Sequence, residues 1–411
     1  MNIYDILKER GFIEQCSDED EVRKIFSSPA TCYIGFDPTA DSFHCGSLVP
    51  IMALSHMQRA GHRVIALLGG GTAMIGDPSG KSEMRQIISS ELIDENGRKL
   101  KWQFGKFLDL SSDKALVLDN ADWLRPLNYI NFLRDIGRHF SVNKMLAAES
   151  YRQRLETGLN FIEFNYMLLQ SYDFLHLYRN YDCSVQMGGN DQWGNILAGT
   201  DLIRRVERGN AEALTFPLLE TASGAKMGKT EKGAVWLDSE KTSPYDYYQY
   251  WINTDDRDVE RFLALFTFLP MDRVRKLGSL EGADIREAKE KLAFETTRIL
   301  HGELEAQKAR ETARALFSGK KGGGADSVPT CTIGKEVLKE GVSAFILFAD
   351  SGIVKSRGEA RRLVKQGGAY LNDERIEAFD RKITLDDIKD GALLLRAGKK
   401  KYLRVVPGND N

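Results

Sequence analysis

The sequence predicts an α/β fold with a Rossmann-type doubly wound parallel sheet, followed by a helical domain and a small α+β module. Three features of the chain predict this class. A strand, a turn, a helix and a second strand follow one another near the N-terminus, residues 244–317 have helical patterning, and two short helices and a hairpin follow residue 342. We therefore expect an open sheet, a helical segment and a separate small module.

The sheet is predicted from residues 31–71. "TCYIGF" (31–36) and "RVIALLGGG" (63–71) are apolar, β-favouring runs, and a helix lies between them with Ser47 as its expected N-cap, Pro50 in its first turn and Gly61 at its end. Such a unit makes the two strands parallel neighbours. Open parallel sheets bind ligands beyond the carboxyl ends of their strands, so the turn "DPTADSFHCGSL", which carries His44, lies where anions bind.

Domain boundaries follow from composition. A further strand, "DCSVQMGG" (182–189), again ends in glycines, and "SGKKGGGADS" (318–327) has the composition of a flexible linker. We expect the sheet domain at 1–220 with a helical insertion near 125–165, and the helical domain at 221–317. A linker and connecting segment then covers 318–342, and the small module covers 343–411.

Composition excludes several classes of protein. The 411 residues are 42% hydrophobic and 28% charged, which predicts a soluble globular protein of two or three domains. No apolar run is long enough to span a membrane and the N-terminus lacks the pattern of a signal peptide, so we expect a cytoplasmic protein with no membrane partner. The five cysteines are scattered and form no CxxC pair, so we expect free thiols and no protein-bound metal. They are Cys16, Cys32, Cys45, Cys183 and Cys331.

Charge is distributed unevenly along the chain. From Ser343 onward there are 14 Lys and Arg against 10 Asp and Glu, whereas the preceding residues have 43 against 49. The second helix of the small module carries a group of these cations, namely Lys355, Arg357, Arg361, Arg362 and Lys365. Such a group favours contact with a polyanion, although a solvated charged surface explains it nearly as well.

A loop rich in glycine and lysine, "SGAKMGKT" (223–230), resembles a P-loop but lacks one residue of the required spacing. What remains is a loop that carries Lys226 and Lys229 between glycines. Such a loop suits a clamp that brings cations to phosphates, and an ordinary basic surface loop is the alternative.

A third cluster lies in "YMLLQSYDF" (166–174). Tyr166, Gln170 and Asp173 recur at steps of four and three, so they share one face of a helix. The surrounding residues are apolar enough for burial, and buried polar groups need partners, which a polar ligand would supply. Taken alone, this face could be solvated, His44 could be a capping residue, and Asp77 could simply form a turn.

Together these stretches resemble the bacterial tyrosyl-tRNA synthetases, a family of class I aminoacyl-tRNA synthetases. The motifs are "YIGFDPTADSFHCGSL", "GGGTAMIGDPSGK", "YMLLQSYDF", "QMGGNDQWGNI", "AKMGKT" and "GAVWLD", and the last is followed by "KTSPYDYYQYWIN". They occur in the family's order and spacing from the first strand to the basic module. "HCGS" is similar to the family's HIGH signature and "KMGKT" to its KMSKS loop.

The resemblance implies roles for individual residues. Tyr33 and Asp173 would contact the phenol hydroxyl of the substrate tyrosine, and its ammonium group would be held by Asp77, Tyr166 and Gln170. Asp37 and Gln192 would complete the amino-acid pocket. The residues implied in ATP binding are Gly46, Ser47, Gly189, Asp191 and Lys229. Those implied in catalysis at the phosphates are His44, Thr39, Lys226, Lys229, Thr230, Lys81 and Arg85.

The implied reaction is that of a tyrosine-tRNA ligase. The substrate carboxylate attacks the α-phosphate of ATP without a general base, because it is ionised at pH 7. Tyrosyl-adenylate and pyrophosphate form, and tyrosine then passes to the 3′ terminal adenosine of tRNA(Tyr). Mg²⁺ is expected with ATP and pyrophosphate, and no protein-bound metal is needed.

The resemblance also implies macromolecular partners. The C-terminal segment is similar to the S-four type of RNA-binding module, so its five grouped cations would contact tRNA. The helical domain at 221–317 would likewise be tRNA-binding. A homodimer is implied as well, with the "LRDIGRHFSVNKM" segment near its interface.

Departures from the family pattern leave alternatives. Ser47 stands where a second histidine or an asparagine is common, Ile34 where cysteine is frequent, and Asn190 where serine is frequent. A catalytically impaired, synthetase-like RNA-binding protein is therefore a second hypothesis. A synthetase for tryptophan is a third, which the pair of Tyr33 and Asp173 disfavours because indole has a donor but no hydroxyl.

Overall fold

The computed structural model describes residues 2–79, 88–230, 233–318, 328, 330–398 and 401–408. Its contacts divide the chain into two compact units, residues 1–242 with 250–301, and residues 243–249 with 302–411. Among the described residues, no helix is both long and apolar enough to cross a membrane. The four-part division expected from composition stays a prediction.

The first unit is built on a six-stranded sheet in the order β1-β6-β5-β2-β3-β4, in which only β1 runs antiparallel to its neighbour. A short two-stranded ladder joins β7 to β8. The strands are β1 (Gln15–Cys16), β2 (Thr31–Phe36), β3 (Arg63–Leu68), β4 (Ala115–Asp119), β5 (Cys183–Gly189), β6 (Glu212–Phe216), β7 (Lys229–Thr230) and β8 (Gly233–Ala234).

Helices surround this sheet. In chain order they are α1 (Ile3–Arg10), α2 (Glu19–Ile25), α3 (Leu48–Arg59), α4 (Ser90–Phe104), α5 (Ala121–Leu124), α6 (Tyr129–Asp135), α7 (Val142–Leu146), α8 (Glu149–Thr157), α9 (Phe161–Phe164), α10 (Tyr166–Tyr181), α11 (Trp193–Glu207), α12 (Pro244–Ile252), α13 (Val259–Phe266), α14 (Met271–Gly278) and α15 (Ile285–His301). Helix α12 has residues in both units.

The predicted βαβ unit is confirmed, because β2 and β3 pair in parallel with α3 between them in the chain. The predicted cap is wrong in its details. Ser47 occupies the position before α3, but its side chain makes no capping hydrogen bond. Instead a turn of 3₁₀ helix, Cys45–Ser47, precedes α3, and the His44 side chain caps that turn by accepting from the Gly46 N–H. The imidazole is bulkier than a hydroxyl and reaches back across the tighter turn.

The order in which successive strands are added to the sheet reverses between the parallel neighbours β2 and β5. From β2 the chain passes to β3 on one side, and from β5 it passes to β6 on the other. A crevice opens at such a switch point, beyond the carboxyl ends of the two central strands. Buried apolar residues behind it, among them Ile65, Leu175 and Leu202, pack the sheet against α10 and α11.

The second unit contains a five-stranded sheet in the order β12-β11-β14-β15-β9 and a separate pair, β10 with β13. Its elements are α16 (Glu303–Ser318), β9 (Thr330–Gly334), α17 (Lys335–Glu340), β10 (Val342–Ser343), α18 (Ala344–Asp350), α19 (Arg357–Lys365), β11 (Ala369–Leu371), β12 (Glu374–Arg375), β13 (Lys382–Ile383), β14 (Leu393–Ala397) and β15 (Lys401–Gly408). The predicted succession of helix, helix and hairpin is confirmed by α18, α19 and the β11-β12 pair.

Candidate active site

A cleft of about 380 Å³ lies at the carboxyl ends of β2 and β5. Many predicted site residues line it, namely Tyr33, Asp37, Thr39, Ser47, Asp77, Tyr166, Gln170, Asp173, Gly189, Asp191 and Gln192. The shared helix face predicted for Tyr166, Gln170 and Asp173 therefore turns toward this cleft. Its polar groups face a cavity of ligand size rather than bulk solvent.

Tyr33 and Asp173 form the buried end of the cleft. Tyr33, on β2, is 1% exposed, and Asp173, on α10, is 2% exposed. Within the described part of the chain, the Tyr33 hydroxyl has no hydrogen-bond partner. A buried hydroxyl left in this state is costly, and a ligand that offers a hydroxyl would satisfy it.

Asp173 is held by two residues that the sequence analysis did not identify. Trp123 Nε1 donates to its Oδ1 (2.7 Å) and Asn120 Nδ2 donates to its Oδ2 (2.8 Å). Burial raises the pKa of Asp173 to about 8, although both hydrogen bonds favour the carboxylate. Asn120 follows directly after the apolar strand β4, so the rule that strand ends face the cleft would have identified it.

A second polar group lies around Asp77. Gln192 Nε2 donates to Asp77 Oδ2 (2.6 Å), and the Ser79 N–H donates to Oδ1 (2.9 Å). Asn195 Nδ2 lies 3.2 Å from Gln192 Oε1 and 3.1 Å from Gln170 Oε1. Burial is the main reason that the pKa of Asp77 rises to about 6. The group therefore surrounds a carboxylate whose charge a ligand cation would stabilise.

Asp37 joins this group to the strand ends. Tyr166 donates from its hydroxyl to Asp37 Oδ2 (3.0 Å), and Thr72 Oγ1 donates to Oδ1 (2.8 Å). Asn120 Nδ2 in turn donates to Thr72 Oγ1 (3.1 Å), which links Asp37 to the partners of Asp173. A Cβ atom at Gly69 would lie 2.0 Å from Asp37 Oδ1, so only glycine fits there.

The other side of the cleft is the end nearest the turn of His44. Thr39 and Ser47 line it, together with Gly189 and Asp191 at the end of β5. His44 Nδ1 accepts from the Gly46 N–H (2.9 Å), so a neutral imidazole carries its proton on Nε2. Asn190 accepts from Gln15 Nε2 (2.5 Å), which fixes the turn that carries Asp191.

Other predicted site residues are not brought into the cleft. The lining residues do not include His44, Gly46 or Lys226, all of which the structure describes. Lys81 and Arg85 lie outside the described residues, as do the side chains of Lys229 and Thr230. Lys226 is exposed.

The cations grouped in the second unit are all exposed on or beside α19, namely Lys355, Arg357, Arg361, Arg362 and Lys365. Arg361 stacks over Phe345, with its guanidinium carbon 4.2 Å from the ring centroid. Arg357 pairs with Asp350 at 3.2 Å. Over the ranges that the structure describes, no group of three or more His, Cys, Asp or Glu side chains could hold a metal ion.

The mostly parallel sheet and the polar cleft at its switch point define a doubly wound α/β protein with a ligand site at the strand ends. Comparison with known families narrows this class. The family described as "tRNA synthetases class I (W and Y)" matches residues 27–318, and the "Tyrosine--tRNA ligase SYY-like C-terminal domain" matches residues 322–405.

Individual relatives agree with these matches. The chain is 57% identical to a tyrosine-tRNA ligase from Syntrophus aciditrophicus over 98% of each chain, and 57% identical to one from Clostridium kluyveri over 98% of this chain and 99% of the relative. A C-terminally truncated mitochondrial tyrosyl-tRNA synthetase from Aspergillus nidulans superposes with a TM-score of 0.70 at 30% identity, covering 77% of this chain and 94% of its own. The chain belongs to the tyrosine-tRNA ligase family of class I tRNA synthetases.

Proposed function

We propose that this chain activates L-tyrosine with ATP and transfers it to the 3′ terminal adenosine of tRNA(Tyr). The observation that carries the choice of amino acid is the buried end of the cleft. The Tyr33 hydroxyl has no hydrogen-bond partner within the described residues, and the Asp173 carboxylate lies at the same end. A phenol hydroxyl donates to Asp173 and accepts from Tyr33.

Phenylalanine would leave the Tyr33 hydroxyl without a partner, whereas Asp173 would keep its two donors, Trp123 and Asn120. Leaving such a buried hydroxyl unpaired costs about 1–3 kcal/mol. Tyrosine-specific synthetases are the established example of strong discrimination against phenylalanine by this means, without editing, so the size of the effect is a known property of the class. The geometry supports selection of tyrosine without a separate editing step.

The amino end of tyrosine fits the opposite wall. Its ammonium group would pair with Asp77 and lie beside the Tyr166 hydroxyl and the Gln170 amide. Asp37 and Gln192 support these groups through the hydrogen bonds described above. The substrate carboxylate is thereby directed toward the side where Thr39 and Ser47 line the cleft.

Adenylate formation is an in-line displacement. A carboxylate oxygen forms a bond to the α-phosphorus, the bond from that phosphorus to the bridging oxygen breaks, and pyrophosphate leaves with the electron pair. Charge accumulates on the phosphate oxygens, where His44, Lys226 and Lys229 would stabilise it, with Thr230, Lys81 and Arg85 as further candidates. Gly46 would lie close to adenine, and Gly189 and Asp191 near the ribose. Mg²⁺ enters as part of the MgATP substrate.

Transfer to tRNA completes the reaction. A ribose hydroxyl of the terminal adenosine attacks the acyl carbon, AMP leaves, and the hydroxyl proton is released. The exposed cations of α19 would contact the tRNA backbone, because phosphate contacts supply much of the affinity in such complexes. A ligase that supplies charged tRNA for translation is expected in the cytoplasm.

A homodimer is part of this proposal. Large apolar side chains are exposed in and around helices α6 to α9, namely Tyr129, Ile130, Val142, Leu155 and Phe161. A cavity of about 330 Å³, lined in part by Phe140 and Met145, lies in the same region. Several exposed apolar side chains in one segment favour an interaction site, and a second copy would cover it. The test is to measure the mass of Val142→Glu and of the unchanged protein by sedimentation. If both have a mass near that of one chain, the homodimer is contradicted.

The decisive assay for the activity is tyrosine-dependent exchange of pyrophosphate into ATP, run beside phenylalanine and tryptophan. We expect exchange with tyrosine and little with the other two. Exchange led by tryptophan would favour the third hypothesis. No exchange with any amino acid, combined with intact tRNA binding, would favour the catalytically impaired RNA-binding protein.

A further inference from the structure

The segment that carries Lys226 folds as a hairpin. The Met227 N–H donates to the Leu219 carbonyl (3.1 Å), and the Thr221 N–H donates to the Ala225 carbonyl (2.8 Å). Glu220 and Lys226 form a bridge between these two bonds. We call residues 219–228 the lysine hairpin. Its fold fixes Lys226 at an exposed position just before Met227 and Gly228, which are buried.

The lysine hairpin packs directly on the turn of His44. Gly228 has a φ of 76°, and a Cβ atom there would lie 2.7 Å from the Gly46 nitrogen and 3.1 Å from the Cys45 Cβ. Val235 connects the two further, because its carbonyl accepts from the Cys45 N–H (2.9 Å) and its own N–H donates to the Gly228 carbonyl (2.8 Å). A displacement of the hairpin is therefore transmitted to the turn that carries His44.

Three side chains from residues 250–261 hold the hairpin in this position. The first is Tyr250, whose hydroxyl oxygen accepts from the Gly228 N–H (3.1 Å) and whose proton is directed to Met227 Sδ (3.3 Å). Burial raises the pKa of Tyr250, which keeps the hydroxyl protonated at neutral pH. The ring packs edge-on against Trp251, with centroids 5.2 Å apart, so the hydroxyl is directed by a fixed ring.

The other two are Asp258 and Arg261, which hold the opposite strand of the hairpin. Asp258 is 3% exposed, and its Oδ2 accepts from the Ala222 N–H (2.7 Å). Arg261 donates to the Glu220 carbonyl (2.6 Å) and to Asp258 Oδ1 (2.7 Å). The buried carboxylate thus has a cation on one oxygen and a hairpin amide on the other, an arrangement stronger than a neutral hydrogen bond.

We propose that Tyr250, Asp258 and Arg261 are positioning residues for adenylate formation. They hold the lysine hairpin against the turn of His44 so that the cations at 226 and 229 are presented to the phosphates of ATP. The inference rests on the proposed role of those lysines. None of the three residues lines the cleft where tyrosine is bound, within the part of the chain that the structure describes. Their loss should therefore slow the ATP step and leave tyrosine affinity unchanged.

Tyr250→Phe is the primary test, because it keeps the ring and removes only the hydroxyl. The Gly228 N–H then lacks its partner, and we expect single-turnover adenylate formation to fall about fivefold. The dissociation constant of tyrosine, measured by equilibrium dialysis, should stay the same. Tyr181→Phe, at the end of α10, is the matched control and should change neither quantity.

Substitutions of Asp258 should slow adenylate formation more than Tyr250→Phe does, and they include a control for loss of folding. Asp258→Ala removes a charge-assisted hydrogen bond, so adenylate formation should fall about 10-fold to 100-fold. Asp258→Asn keeps an oxygen that can accept from Ala222 and should recover part of the rate. If Asp258→Ala does not fold, judged by its thermal unfolding, Tyr250→Phe and Asp258→Asn carry the test without it.

Hydrogen exchange provides a readout independent of activity. In Tyr250→Phe the amides of the lysine hairpin should exchange faster than in the unchanged protein, while those of α10 keep their rate. Unchanged rates of adenylate formation and of hairpin exchange in Tyr250→Phe would overturn the proposal, as would an equal loss of tyrosine affinity. If the unchanged protein does not activate tyrosine, the proposed function fails, and faster hairpin exchange would still show that these residues hold the hairpin.

Discussion

The two ends of the cleft use different physical means. At the tyrosine end, Asp173 and Asp77 are buried and surrounded by fixed amide and indole donors, so recognition is built into the folded protein. At the proposed phosphate end, Lys226 is outside the cleft lining and is exposed on the lysine hairpin, which neighbouring side chains hold in place. We therefore expect the selectivity for the amino acid and the rate of the reaction to depend on different residues. In the proposed function, the first end selects the amino acid and the second supplies charge during the reaction.

The largest effect expected is on the phosphate end. Lys229→Ala should lower the rate of adenylate formation about 100-fold, because the proposed role of Lys229 is to bring a cation to the developing phosphate charge. The tyrosine dissociation constant should not change. The measurement is a single-turnover assay beside equilibrium dialysis, with Lys24→Ala as control because that side chain is 74% exposed and pairs with Glu21. A parallel loss of tyrosine affinity would break the separation between the two ends.

The next effect concerns selectivity at the tyrosine end. Tyr33→Phe removes the buried hydroxyl that the phenol of tyrosine would satisfy, so the ratio of kcat/KM for tyrosine over phenylalanine should fall about tenfold. Pyrophosphate exchange with each amino acid measures this ratio. An unchanged ratio would mean that Tyr33 does not contact the phenol hydroxyl. The maximal rate at saturating tyrosine should change much less than the ratio.

Sequence patterns predicted most of the residues at this tyrosine end but not the side chains that hydrogen-bond to them. Tyr33 lies in a clear β-favouring run, and Tyr166, Gln170 and Asp173 follow helical spacing, so strand and helix periodicity are enough to bring them to one cleft. Trp123 lies in a short helix after β4, where no periodic pattern indicates which side chain turns inward. Its contact with Asp173 depends on how distant segments pack.

The phosphate end was less predictable for a related reason. The lysines were evident from "AKMGKT", but Tyr250, Asp258 and Arg261 occur in a region whose pattern indicates only helix. Their polar atoms reach backbone groups of the hairpin, and a backbone amide leaves no signature in the sequence. Gly228 is evident in the sequence, but the requirement for glycine at this position is not. The requirement arises from close contact with a turn about 180 residues earlier in the chain.

A moderate effect of pH follows from Asp77. Burial raises its pKa to about 6, so the carboxyl is neutral below that pH and charged above it. The proposed contact with the substrate ammonium needs the charged form, so tyrosine affinity should fall about tenfold for each pH unit below 6 and level off between about pH 6 and 7. Equilibrium dialysis between about pH 4.5 and 7 tests this, a range that lies below the pKa of about 8 of Asp173. Asp77→Asn should bind weakly with a flat profile in that range, and an unchanged slope in this variant would assign the titration to another group.

The smallest effect is expected at Ser47, the position at which "HCGS" differs from the HIGH signature that it resembles. A serine that caps a helix contributes about 1 kcal/mol to stability, but the Ser47 side chain makes no capping bond. Ser47→Ala should therefore leave the unfolding temperature unchanged. Ser47 lines the cleft and is a proposed ATP-binding residue, so the KM for ATP should rise about threefold because one weak hydrogen bond is lost. A lower unfolding temperature with an unchanged KM would instead mean that Ser47 stabilises the fold. His44 would then be the residue of this turn that contacts the nucleotide.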